Sequence, residues 1–155
     1  MTDVLKIWFP NDKFNKFWFD KSKDDMIKME YVTILNFVEK EVIDVDSLSD
    51  LEILEKIIIL DQFSRSIYRE EKEKVKFNDK KALNLSLNFL AKRNWINIKL
   101  NHLIFYLMPL RHTFDKEYYE KIFEILQIYN LKDNDKELYN KFIKITKRIY
   151  DSLNI

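Results

Sequence analysis

The chain has 155 residues, 46% of them hydrophobic and 34% charged, which suits one globular domain over 1–155 and excludes a disordered chain. It holds no cysteine and no glycine, so disulfides, a thiolate nucleophile, a cysteine zinc site and Gly-rich phosphate loops are all excluded. Lys and Arg number 27 against 26 Asp and Glu, and a net charge of +1 provides no basic field for nucleic acid. Ala and Pro are also scarce while Lys, Ile and Asn abound, so low-GC coding bias accounts for much of the composition. A glycine that chemistry required would have been kept.

In chain order, a short helix is expected around Val4–Phe9, in the aromatic cluster Trp8, Phe9, Phe14, Phe17, Trp18 and Phe19. Aromatics at helical spacing without a basic surround read as an inter-helix seam. The first residues lack a basic region followed by an apolar core, so no signal peptide is expected. No apolar run approaches about 18 residues, so no membrane partner is expected and a cytoplasmic location is the default. The stripe Ile27, Tyr31, Ile34, Val38 and Val42 has the spacing of an amphipathic helix. Ser49-Asp50-Leu51-Glu52 is a capping box, and it announces a helix through Ile57-Ile58-Ile59-Leu60 that is apolar all round and therefore central. Glu70–Lys76 reads as a charged loop, followed by helices over Asp79–Arg93 and Asn97–Met108, the latter ended by Pro109. Thr113 is a candidate cap for a helix carrying Phe114, Tyr118, Ile122, Ile125 and Tyr129. Asn130 can end that helix, and Asp133-Asn134-Asp135 can cap a last one through Leu138, Phe142, Ile145, Ile149 and Leu153. The basic residues Lys141, Lys144, Lys147 and Arg148 read as its solvated face. Short connections make neighbours antiparallel, and the expected architecture is an all-α array of seven or eight helices.

Two polar clusters stand out. In Leu60–Arg69, Asp61, Arg65 and Arg69 fall at i, i+4 and i+8, on one face of a continuing helix. Asp61 follows residues that ought to be buried, and Arg65, with its rigid fork, is its natural partner. The pair is either an internal clamp or one edge of an anion pocket in which Arg65 and Arg69 hold a phosphate or carboxylate. In Met108–Asp115, His112 lies at a helix junction, where an imidazole is well placed for proton transfer. His102 has no polar company and reads as structural. His112, Asp115 and Asp61 make an incomplete ligand set, so no metal or other cofactor is expected. Ser64 and Ser66 lie outside any nucleophile elbow, which argues against a serine hydrolase triad.

These residues resemble those of the domain-of-unknown-function family 924, a mainly bacterial, all-helical family classed with the tetratricopeptide-like domains. Trp8-Phe9 and Trp18-Phe19 are similar to its two W-F motifs. Leu60-Asp61-Gln62-Phe63-Ser64-Arg65-Ser66-Ile67-Tyr68-Arg69 is similar to its L-D-Q-F-P-R-N-x-x-R. Phe77-Asn78-Asp79-Lys80-Lys81-Ala82 echoes its F-x-x-D-x-x-A with altered spacing, and Pro109–Asp115 resembles its P-L-x-H-S-E-D. The resemblance spans about residues 4 to 130. The family's C-terminal F-G-R-x-P-H-R-N has no counterpart, which marks the chain as a divergent member. The resemblance implies a tetratricopeptide-like array and places Asp61, Gln62, Arg65, Arg69 and His112 in one pocket.

Three functions are expected on this basis. The first is binding of an anionic small molecule or acidic peptide by Gln62, Arg65 and Arg69. The second is a hydrolase or transferase with His112 and Asp61 as catalytic residues and the two arginines stabilising negative charge. The third is a scaffold held by an Asp61–Arg65 clamp. The enzyme requires Asp61, Arg65 and His112 to converge on one cleft.

Overall fold

A computed structural model describes residues 3–10 and 20–153. Among them the chain is all-α: Asp3–Trp8 (α1), Asp24–Lys40 (α2), Asp50–Ile57 (α3), Ser64–Ile67 (α4), Lys72–Lys92 (α5), Leu100–Arg111 (α6), Lys116–Ile128 (α7) and Lys136–Ser152 (α8). α3 and α4 are one continuous helix joined through a π-helical stretch at Ile58–Phe63. Phe14, Phe17, Trp18 and Phe19 lie outside the described residues.

The capping box starts the central helix as expected. The Ser49 N–H donates to Glu52 Oε1 at 3.0 Å, and the Glu52 N–H donates to Ser49 Oγ at 3.2 Å. Ile53, Leu54 and every residue from Ile57 to Ser64 are buried, because α2, α5 and α6 pack around this helix. Trp8 and Phe9 seal one end: the Trp8 ring meets Phe63 and Phe105 edge-on, each at 5.6 Å. His102 is buried in α6 with its ring 4.7 Å from that of Phe9. The expected seam is therefore present for the part that is described.

Several local expectations are corrected. Glu70–Lys76 is not a loop; α5 begins at Lys72. Its charged residues are good helix formers, and Lys74–Glu71 and Lys76–Glu73 pair one turn apart at 3.0 and 3.7 Å. Pro109 does not end its helix but sits inside the last turn of α6, which runs to Arg111. A proline there removes one backbone bond, and the burial of every residue from Leu100 to Leu110 outweighs that loss. Val42 lies past the end of α2 and is 97% exposed, so Leu35 rather than Val42 continues the buried face. Phe114 also lies outside its helix, at φ 53°. Asp115, not Thr113, caps α7, its side chain accepting from the Glu117 N–H at 3.0 Å. Thr113 instead donates to the Leu110 carbonyl at 2.7 Å. Asp133–Asp135 forms a 3₁₀ turn that leads into α8 without a side-chain cap. Lys141, Lys144, Lys147 and Arg148 are all exposed, as a solvated face requires.

Tyr68 ties the end of α4 to α2. Its hydroxyl donates to Glu39 Oε1 at 2.9 Å and meets Asn36 Oδ1 at 3.3 Å. Burial and the Glu39 carboxylate push the phenol up to about 12. A raised phenol stabilises the fold fully below its ordinary value near 10, and that contribution disappears as the pH rises through 12. Tyr68→Phe should cost about 1.5–3 kcal/mol at pH 7, as for a hydrogen bond to a charged group. Urea titrations at neutral and high pH test this: the gap between wild type and variant should close towards pH 12.

Candidate functional site

The π-helical stretch places Asp61 inside the protein. At its end the Ser64 N–H donates to the Ile59 carbonyl, five residues back, so the register changes within the motif. Asp61 is 0% exposed yet fully partnered. One carboxylate oxygen, Oδ1, lies 2.8 Å from His112 Nδ1, and the other accepts from Gln62 Nε2 at 2.6 Å. Arg65 Nη1 donates to the Asp61 carbonyl at 2.8 Å and to Oδ1 at 3.3 Å. The same guanidinium grips Asp79 of α5 bidentately, at 2.7 and 3.0 Å. Asp61, Arg65 and His112 therefore converge, and Asp79 joins them.

Charge compensation decides the state of this cluster. Burial works to raise Asp61, but His112, Arg65 and the Gln62 amide together hold its carboxyl below the ordinary carboxylate value. An ionised carboxylate only accepts, so the proton between it and His112 sits on Nδ1, leaving Nε2 as the second functional atom of the ring. Burial opposes the charge on Arg65, but its two carboxylate partners raise it above the usual guanidinium value. Asp79 is raised, by burial first, with the nearby Asp61 charge adding to it against the pull of Arg65.

Arg69 departs from the expected geometry. The helix ends at Ile67, so Arg69 does not continue the face of Asp61 and Arg65. It turns to α2, where its Nε and Nη2 hold Asp24 at 2.5 and 3.1 Å. Arg65 and Arg69 nevertheless border one cleft of about 690 Å³. Gln62, Ser66, Lys72 and Lys76 line it along the central helix and α5, and Met108, Arg111, His112 and Phe114 line it at the end of α6. Val75 of α5 and Trp8, Asp20, Lys21, Asp24 and Ile27 complete the wall. Phe114, in left-handed backbone that a bulky residue rarely adopts, thus belongs to the site's rim.

Asp115 takes no part in the cluster, since its side chain caps α7. The donor atoms within 4.8 Å of one another belong to Asp61, Asp79 and His112. The Arg65 guanidinium bonds both carboxylates of that trio, and it supplies the positive charge that a metal ion would otherwise bring.

Two residues of the site escaped the sequence reading. Asp79 stood in the Phe77–Ala82 echo but at a spacing that gave no reason to join it to Arg65. Arg111 sits beside His112 and was passed over because neither an acidic partner nor a helical repeat marked it. It is half-buried on the cleft wall, and burial lowers it from the ordinary guanidinium value.

No curated protein and no solved structure matches the chain. A family model described as a bacterial protein of unknown function, DUF924, matches residues 4–154. The match runs through α8, well past residue 130 where the motif resemblance stops, so the C-terminal helix falls within the family's span. The chain belongs to the DUF924 family.

Proposed function

We propose that the protein binds an anionic small molecule in the cleft beside the Asp61–His112 pair. The observation that carries this reading is the charge of the walls: six Lys and Arg side chains and His112 line the cleft, against Asp20 and Asp24. A concave site of this volume fits a small molecule rather than an extended acidic peptide. Gln62, Arg65 and Arg69 contribute to the wall. Arg65 does so while clamping the central helix to α5, so the scaffold role and the binding role meet in one side chain.

Thermal melts with inorganic phosphate at low ionic strength test the proposal. Saturable stabilisation of the wild type is expected, weakened in Arg69→Ala and Gln62→Ala, with ionic strength matched by chloride. A melting temperature that rises only linearly with phosphate, as for general solute exclusion, would sink the reading.

The Asp61–His112 contact favours a second reading, in which the ligand is a substrate. Asp61 orients the ring through Nδ1, and Nε2 serves as general acid or base. Turnover of chromogenic phosphate or carboxylate esters that is lost in His112→Gln supports catalysis; turnover equal in the two proteins refutes it.

A further inference from the structure

We propose that Arg111 anchors the anion and that the ligand is a phosphate monoester whose organic body rests on the apolar part of the cleft wall. This rests on the anion-binding reading above and names its ligand class. The other arginines on the cleft already hold carboxylates: Arg65 grips Asp79 and Asp61, and Arg69 grips Asp24. Arg111 forms no ion pair with a carboxylate among the described residues. Its guanidinium lies over the Phe142 ring at 5.0 Å and donates to Thr146 Oγ1 at 3.4 Å, both on α8. Thr146 Oγ1 in turn donates to the Phe142 carbonyl at 2.7 Å, so it meets Arg111 as an acceptor. These contacts fix the fork without neutralising it. A half-buried cation with no carboxylate in direct contact is under-compensated, and an entering anion offsets the cost of its burial.

Charge and shape then select the ligand. Once the internal pairs are set aside, and Lys76 with Glu73, the cleft retains Lys21, Lys72 and Arg111 against Asp20. That surplus of positive charge suits a phosphate monoester, which carries about −1.5 to −2 at neutral pH. A planar guanidinium matches two phosphate oxygens at once, which a single ammonium does not. Trp8, Ile27, Val75 and Met108 supply the apolar surface for the organic body.

Calorimetric titrations with inorganic phosphate, phenyl phosphate and succinate on wild type, Arg111→Met and Arg111→Lys test the proposal. Arg111→Met keeps an unbranched side chain that can cover Phe142 and removes the under-compensated charge, so without ligand it should melt no lower than wild type. Its affinity for phenyl phosphate should fall by about ten-fold or more. Wild type should bind phenyl phosphate more tightly than inorganic phosphate. An affinity of Arg111→Met equal to that of wild type overturns the anchor and leaves the anion-binding reading standing. Succinate binding more tightly than phenyl phosphate overturns the ligand class. If no anion binds wild type, both fail together. Should Arg111→Met not fold, Arg111→Lys decides: its single ammonium must bind more weakly than the fork, and unchanged affinity overturns the anchor.

Discussion

Asp61→Ala should destabilise the protein by about 3–5 kcal/mol, the cost of breaking a buried ion pair by removing one partner. The substitution strips His112 Nδ1 of its acceptor and leaves Gln62 without its own. It also removes from Arg65 one of its two carboxylate partners, leaving Asp79, the nearer at 2.7 Å, to compensate the charge alone. A typical domain has only about 5–15 kcal/mol in hand, so the variant sits close to the unfolding threshold. Asp61→Asn preserves the shape and should cost less. The pH dependence separates charge from shape. Because Asp61 is held below its ordinary value, its stabilisation is complete above about pH 4 and is lost as the pH falls through the folded-state value. Asp79, raised instead, has the opposite sign: its contribution is lost as the pH rises through its folded-state value. Guanidinium denaturation at neutral pH and near pH 3 should therefore show the gap between wild type and Asp61→Asn closing in acid. A neutral-pH cost for Asp61→Ala below about 1 kcal/mol, the level of an exposed pair, would show that the cluster is not holding the fold. Asp61→Ala and Arg65→Ala share partners, so the double variant should cost less than the sum of the singles.

Much of the helix content was legible because hydrophobic spacing and capping are local signals. The box at Ser49–Glu52 and the apolar run after it located the central helix and its burial without any tertiary information. The errors fall where tertiary packing overrides a local preference. Pro109 breaks helices in isolation, yet α6 is buried along nearly its whole length and carries the proline in its last turn. The charged start of α5 looked like a loop because charge masks the apolar face; Val75 is half-buried and faces the cleft. The π-helical stretch was not legible at all. It depends on a shift of the backbone hydrogen-bond register to five residues, and nothing in Ile58–Phe63 distinguishes it from an α-helical run.

At the site, pairs within one helix were readable and pairs across helices were not. Asp61 and Arg65 at i, i+4 meet as the spacing requires. Asp79, fourteen residues after Arg65 on α5, could be assigned only once the packing of two helices was known. Arg69 shows the converse error, since extending the helix by one more turn put it on a face it does not share. The motif resemblance brought Asp61 and His112 together across 51 residues, a separation that no periodicity spans.

The core beneath the cleft should be as sensitive as the cluster itself. Phe63→Ala is expected to cost about 3–5 kcal/mol, since it leaves a cavity under a residue that is 0% exposed. Phe63 belongs to the same π-helical stretch as Asp61, and its ring meets Trp8 at 5.6 Å and Tyr31 at 4.8 Å. Those aromatic contacts add about 0.5–1.5 kcal/mol each beyond the area they bury. Trp8 is also part of the cleft wall, so the loss carries into the site: phosphate-induced stabilisation should weaken in Phe63→Ala although no polar group has changed. Phe63→Leu, which refills most of the volume, should recover over half of the stability and most of the response to phosphate. Phe37→Ala, at a position of α2 that is 68% exposed, serves as the control, with an expected change within about 0.5 kcal/mol. Equal costs for Phe63→Ala and Phe37→Ala would mean that the π-helical stretch is not the rigid floor on which Asp61 and the cleft are built.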